Sequence, residues 1–243
     1  LKKPELKIYN SADRLIEALN YSFIEMIHKV NRTKQNIHIA LSGGNTPQLF
    51  FKRLAKSGNQ LSWQNVHFYW GDERCVPPEH PDSNFGTSKK HLFDKIKIYS
   101  NNLHRIYGEN DPNSEAERYG EHILHCIQRH ENNYPIFDWI ILGLGEDGHT
   151  ASIFPGDIPV IQSTKICTVA SHPQTDQKRV TLTLPVINRA ERITFLVSGH
   201  NKAGIIAEIL NNNNSKMIYP AAMVESNKKP VEWYLDKEAV AML

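Results

Sequence analysis

The stretch NIHIALSGGNTPQLFFKRLAK, Asn36 to Lys56, decides the fold. Its first part, NIHIAL, is short, rich in β-branched residues and mostly apolar, the signature of a strand. Gly43 and Gly44 break it. TPQLFFKRLAK then resumes a helical spacing, with Pro47 in the first turn, where a missing backbone N–H costs nothing. Strand, glycine turn and helix in direct succession open a βαβ unit. Upstream, Leu15, Ile16, Leu19, Phe23, Met26, Ile27 and Val30 recur at helical spacing and predict an amphipathic helix over 12–30. Downstream, VHFYW predicts a strand running into the charged loop GDERCVPP, and DSNFGTSKKHLF a helix capped by Asp82 or Ser83. NSEAERYGEHILHCIQRH predicts a further helix and FDWIILGLG a further buried strand. RVTLTLP and RITFLVSG read as strands, KAGIIAEIL as the helix after the second, and VEWYLDKEAVAML as a closing strand with a short helix.

Strands alternating with helices imply an α/β fold, a mainly parallel, doubly wound (Rossmann-like) sheet with helices on both faces. The polar run NNNN at 211–214 reads as a turn, and no repeat or Pro/Ser-rich boundary divides the chain, so one domain over 1–243 is expected. Lys+Arg number 28 and Asp+Glu 26, a net charge of +2 that argues against nucleic-acid or membrane-surface partners. No apolar run reaches the roughly 18 residues of a membrane span. LKKPELKIYNSAD has no apolar core of a signal peptide, and the three cysteines, Cys75, Cys126 and Cys167, are odd in number, widely spread and lack metal-ligand spacing. A cytoplasmic setting with free thiols is expected. Composition does not decide the oligomeric state; a monomer is the expectation.

In open parallel sheets ligands sit at the carboxyl ends of strands. Four strands here end in chemically loaded loops: SGGNTP, GDER, GLGEDGH and SGHNKA. SGGNTP offers Ser42, the backbone N–H groups of Gly43 and Gly44, Thr46 and a helix N-terminus, all suited to a phosphate. It lacks the spacing of a nucleotide-phosphate loop of the G-x-x-x-x-G-K-[ST] type. Read alone, it is equally a tight strand-to-helix turn. Lys202, after the glycine of SGHNKA, and Arg179, opening RVTLT, could be solvated charges; beside that turn they would complete a site for a phosphate dianion. Asp72 and Arg74 of GDER are either a solvent-facing turn or a group that meets sugar hydroxyls and developing negative charge.

Behind FDWII, the string LGLGEDGHTAS spells G-x-G-x-x-G through Gly143, Gly145 and Gly148. A dinucleotide site needs a helix opening on that turn and an acidic residue roughly 20 positions on. Phe154-Pro155-Gly156 stops any long helix, and KICTVA near 165–170 carries no acid. What remains is a glycine-walled loop bearing Asp147 and His149. A carboxylate two residues from an imidazole can fix its tautomer and stabilise its cation, as a general base requires.

Taken together, LSGGNTP, WGDERCVP with SNFG after it, ILGLGEDGHTASIFPG, RVTLTLPVIN and SGHNKA resemble, in order and over nearly the whole chain, the 6-phosphogluconolactonases, within the wider group that includes the glucosamine-6-phosphate deaminases. Asn45 departs from the pattern, where the lactonases more often have Ser. SIFPG stands where deaminases carry an NEP-type segment, which favours the lactonase branch. The resemblance implies a small satellite α/β subdomain embedded in the main unit, no cofactor and no metal. It implies hydrolysis of 6-phospho-D-glucono-1,5-lactone to 6-phosphogluconate in the oxidative pentose phosphate pathway. On that reading Ser42, Gly43, Gly44, Thr46, Arg179 and Lys202 hold the 6-phosphate, and Asp72 and Gly145 position the sugar. His149 activates the attacking water, Asp147 orients the imidazole or the water, and Arg74 meets the oxyanion or sugar oxygens. Ser152, outside any G-x-S-x-G elbow, is expected to be structural. An amino-sugar-phosphate isomerase/deaminase and a non-catalytic sugar-phosphate sensor are the alternatives.

Overall fold

The computed structural model describes residues 2–33, 35–211 and 214–243; positions 212 and 213 of the polar run at 211–214 lie outside them. In chain order the elements are β1 (Glu5–Tyr9), α1 (Ala12–Thr33), β2 (Ile37–Leu41), α2 (Asn45–Gly58), β3 (Val66–Trp70), β4 (Asp72–Arg74) and α3 (Asn84–His91). There follow β5 (Leu103–His104), α4 (Pro112–Cys126), β6 (His130–Glu131), β7 (Tyr134–Pro135), β8 (Trp139–Leu142), α5 (Ile158–Ile161) and β9 (Cys167–Ser171). The last are β10 (Lys178–Leu182), α6 (Leu184–Ile187), β11 (Ile193–Val197), α7 (Ala203–Asn211) and β12 (Glu232–Asp236).

Seven strands form one sheet in the order β1-β12-β11-β8-β2-β3-β5, and every neighbouring pair is parallel. The central strands are apolar at almost every position because helices cover both faces; β8, β11 and β12 are buried throughout. α1 turns Leu15, Ile16, Leu19, Phe23, Ile27 and Val30 into the core, as their spacing requires, with Met26 partly covered at the margin. From β2 the chain winds outward through β3 to β5; from β8 it winds the other way through β11 to β12. The winding reverses between β2 and β8. Beyond the carboxyl ends of such neighbours the two following loops part and leave a crevice.

A second sheet, β4-β10-β9, is antiparallel, and α4 packs on it. This is the satellite, although its Cys167, Ala170, Val180 and Leu182 join the same hydrophobic cluster as the main sheet. Two readings from sequence change here. GDER is a strand rather than a loop, and RVTLTLP belongs to the satellite sheet. Helix α3 is capped by Ser83, whose Oγ accepts from Gly86 N, rather than by Asp82. α4 stops at Cys126, earlier than its apolar spacing predicts, because Ile127 turns extended and leads into β6. The C-terminal strand is not an edge: β12 inserts between β1 and β11, and turns follow it where a short helix was expected.

Candidate active site

A cavity of about 380 Å³ opens at the β2/β8 reversal. Among its lining residues are Ser42, Gly43, Gly44, Thr46, Asp72, Arg74, Gly145, His149, Arg179 and Lys202. Of the predicted site residues only Asp147 is absent from the wall; it stands behind His149.

The glycine turn between β2 and α2 comes first. Gly44 is the N-cap of α2 and provides no side-chain cap, so the helix's leading N–H groups are left for a ligand. Gly43 is required by its neighbour: a Cβ there would lie 1.8 Å from Asn84 Oδ1. Asn84 cannot swing aside freely, since its Nδ2 donates to the Asp72 carbonyl at 2.9 Å. Ser42 Oγ donates to the Ile141 carbonyl at 2.9 Å, pinning the ends of β2 and β8 together. Its hydroxyl proton is therefore committed to the fold. Thr46 Oγ1 lies 2.9 Å from Ser198 Oγ and ties the first turn of α2 to the end of β11.

Arg179 and Arg74 face each other in register across β10 and β4. Arg74 Nη1 donates to the Asp82 carbonyl at 2.8 Å, and Arg179 has one long bond, 3.4 Å, to Gln177 Oε1. The Nε atoms of both are buried without a partner. Burial, and then the charge of Arg74, holds the Arg179 guanidinium below its ordinary pKa. Two adjacent cations short of acceptors form a wall that an anion would relieve. Lys202 completes it from the turn after β11. Burial lowers its ammonium pKa, and Glu146 and Asp147 pull partly the other way.

His149 lines the same cavity; its Nδ1 lies 2.6 Å from Asp147 Oδ1, and its backbone N donates to the same oxygen at 3.1 Å. Burial alone would raise the Asp147 carboxyl. The hydrogen bond from His149, its charge and the backbone N–H outweigh burial and hold the carboxyl below its usual value. Gly145 makes room for this pair: a Cβ would lie 2.1 Å from His149 Nδ1 and 2.5 Å from Asp147 Oδ1. Phe154 packs against both groups, its ring centroid 4.8 Å from that of His149 and 5.5 Å from Arg179 Cζ. Ala151, on the cavity wall, holds φ 49, a left-handed conformation that costs a non-glycine roughly 1–2 kcal/mol. The surrounding hydrogen bonds enforce it: Thr150 bridges Ile153, and Ser152 N donates to Thr181 Oγ1. No helix follows the glycines until the single turn of α5, so the dinucleotide reading has no support.

Asp72 is 5 % exposed and accepts from Ser152 Oγ at 2.7 Å, so its first role is to lock β4 to the 149–154 loop. Ser152 is accordingly structural. Sequence reasoning missed Asn84, which lines the cavity, and Glu73. Glu73 accepts from the backbone N–H groups of Arg74, Asn84 and Phe85 and from Ser83 Oγ, fastening α3 to β4. Their signal was the SNFG run, whose Asn84 lies eleven residues beyond Glu73 of GDER, which periodicity alone cannot connect to it.

Burial pushes the Glu73 carboxyl up from 4.5 to about 7, against those backbone donors. Between these values the folded chain holds a proton the unfolded chain has lost. Its contribution to stability is therefore full below the unfolded pKa and fades as pH rises through the folded one. Glu73→Gln mimics the neutral acid at every pH. The difference in melting temperature, variant minus wild type, should grow from about pH 5 to about pH 8; a flat or falling difference contradicts the assignment.

A sequence profile of the family described as glucosamine-6-phosphate isomerases/6-phosphogluconolactonase matches residues 10–233. The 6-phosphogluconolactonase of Haemophilus influenzae is 44% identical over 93% of this chain and 100% of its own length. The crystal structure of the devB protein superposes with a TM-score of 0.92 at 42% identity, covering 98% of this chain and 99% of that one. The 6-phosphogluconolactonase from Trypanosoma cruzi superposes with a TM-score of 0.88 at 27% identity, covering 99% and 97%. The chain belongs to the glucosamine-6-phosphate isomerase/6-phosphogluconolactonase family.

Proposed function

We propose that this chain hydrolyses 6-phospho-D-glucono-1,5-lactone to 6-phosphogluconate, as a step of the oxidative pentose phosphate pathway. The observation that supports this best is the cavity itself. A histidine paired with a carboxylate, the side chains of Arg74, Arg179 and Lys202, and a helix N-terminus all meet at one cavity. A phosphorylated sugar lactone carries the matching groups at its two ends.

The 6-phosphate takes the N–H groups of Gly43 and Gly44, Thr46, Arg179 and Lys202. Binding energy from this end fixes the lactone carbonyl near His149 and makes attack effectively intramolecular. With Nδ1 held by Asp147, His149 presents Nε2 to a water molecule. It takes a proton as the water oxygen bonds to C1. The C1–O5 bond then breaks and His149 returns the proton to O5, so that proton count and charge balance. Arg74, with Nη1 tied to Asp82, turns its remaining donors to substrate oxygens, the carbonyl oxygen included. Asp147 acts through the imidazole it orients. The expectation of a monomer folded as a single unit stands with this reading. The unpaired Cys75, Cys126 and Cys167 accord with a cytoplasmic setting.

Lys202→Ala should raise KM for the phosphorylated lactone by roughly tenfold to a hundredfold, the range of one charge-assisted hydrogen bond of about 1.5–3 kcal/mol. Turnover at saturation should change little. Steady-state kinetics on phosphorylated and unphosphorylated gluconolactone tests the reading: the penalty should vanish on the unphosphorylated lactone. An equal penalty on both would contradict phosphate anchoring. Ammonia release from glucosamine 6-phosphate without lactone hydrolysis would establish the deaminase reading instead.

A further inference from the structure

On one face of the seven-stranded sheet a row of imidazoles runs from strand to strand and on to α4. His38 of β2 and His67 of β3 share a register position, as do Tyr69 of β3 and His104 of β5. Strand alternation puts all four side chains on one face. His67 Nδ1 lies 2.9 Å from His104 Nε2, and His104 Nδ1 lies 2.7 Å from His122 Nε2 on α4. One turn further along α4, Cys126 Sγ lies 3.6 Å from that same His122 Nε2. None of these residues lines the substrate cavity, and the reaction uses none of them.

We propose that His104, His122 and Cys126 form a site for a borderline-soft divalent transition ion, zinc first among them. Among the described residues they are the one His/Cys/Asp/Glu group whose ligand atoms converge, all within 4.8 Å of one another. His122 and Cys126 are four apart on a helix, so they project from one face as a chelating pair. Two nitrogens and a sulfur suit zinc, and the alkaline-earth ions prefer oxygen. With Zn–N near 2.0–2.1 Å and Zn–S near 2.3 Å, a tetrahedral ion holds N and S roughly 3.5 Å apart and two N roughly 3.3 Å apart. The sulfur–His122 separation already matches. The His104–His122 pair need open by only about half an ångström, and the proton they share moves to the other nitrogen of its own ring, so that both facing nitrogens offer lone pairs to the metal.

Metal binding takes the Cys126 sulfur as the thiolate: its proton leaves to solvent as the sulfur–metal bond forms. His67, bonded to His104 Nε2, orients that ring from behind, the usual arrangement for a ligating histidine. The ion would clip α4 to β5, a two-residue edge strand held on one side only.

Cobalt(II), a spectroscopic substitute for zinc, tests this on the full-length, reduced protein. The site predicts one cobalt per chain, a sulfur-to-cobalt charge-transfer band in the near ultraviolet, and visible bands of tetrahedral intensity. Zinc should abolish them stoichiometrically. Cys126→Ser should remove the charge-transfer band, and His122→Gln and His104→Gln should each weaken binding at least tenfold. His149→Asn should leave binding unchanged. Absence of the band in the wild type, or a band that survives Cys126→Ser, overturns the proposal. So does binding lost with His149 rather than with the cluster. Circular dichroism of each variant separates a lost ligand from a lost fold, and no readout depends on lactone hydrolysis.

Discussion

His149→Asn should lower kcat by roughly 10²–10⁴, the usual contribution of general acid–base catalysis, with KM for the phosphorylated lactone nearly unchanged. The asparagine cannot relay a proton, yet it keeps a polar group of similar reach beside Asp147. The substrate's phosphate is held by residues of other loops, so its binding should not follow the loss. The physical basis is the 2.6 Å contact between His149 Nδ1 and Asp147 Oδ1, which leaves Nε2 as the free end of the ring. Catalysed turnover must be measured above the spontaneous opening of the lactone. A variant within threefold of wild type would remove His149 as the base.

Gly145→Ala should be nearly as damaging, although the added methyl group carries no chemistry. It would lie 2.1 Å from His149 Nδ1 and 2.5 Å from Asp147 Oδ1, well inside contact distance for both. Either the imidazole or the carboxylate must move, and the bond between them must lengthen. Misplacement of a catalytic group by about 1 Å costs on the order of 10²-fold in rate. Turnover should drop by that order while the far-ultraviolet circular dichroism stays that of the wild type. Full activity would mean that the pair is not needed in this geometry. Asp147→Asn provides the companion measurement, because it alters the tautomer of His149 without the steric push.

Much of this was legible in the chain itself. The parallel sheet follows from strand–glycine–helix grammar, and α1 follows from its seven-residue apolar stripe. The loops at strand ends predicted the cavity wall, because a parallel sheet sends every strand's carboxyl end to the same side. What sequence could not show has definite causes. β1 reads ELKIY, an edge strand with mostly exposed side chains, so it carries no burial signal. β5 has two residues, below the length at which any period can be read. GDER became a strand because β10 lies beside it, a pairing fixed over a separation of about a hundred residues. Asn84 and Glu73 matter through contacts that only α3's docking creates. Ser42 donates its hydroxyl to the Ile141 carbonyl, a contact between neighbouring strands that spacing does not show. The His104–His122–Cys126 group was invisible for the same reason: helix spacing places two of its members together, and strand order supplies the third.

The central claim is that one imidazole, sharing a single cavity with a cationic cradle, opens a phosphorylated sugar lactone. The most direct measurement generates 6-phospho-D-glucono-1,5-lactone freshly from glucose 6-phosphate and follows 6-phosphogluconate through its own oxidative decarboxylation, with and without the protein. The rate should rise in proportion to protein concentration, far above spontaneous opening, and fall to the spontaneous rate with His149→Asn. A rate that does not depend on the wild-type protein would contradict the account.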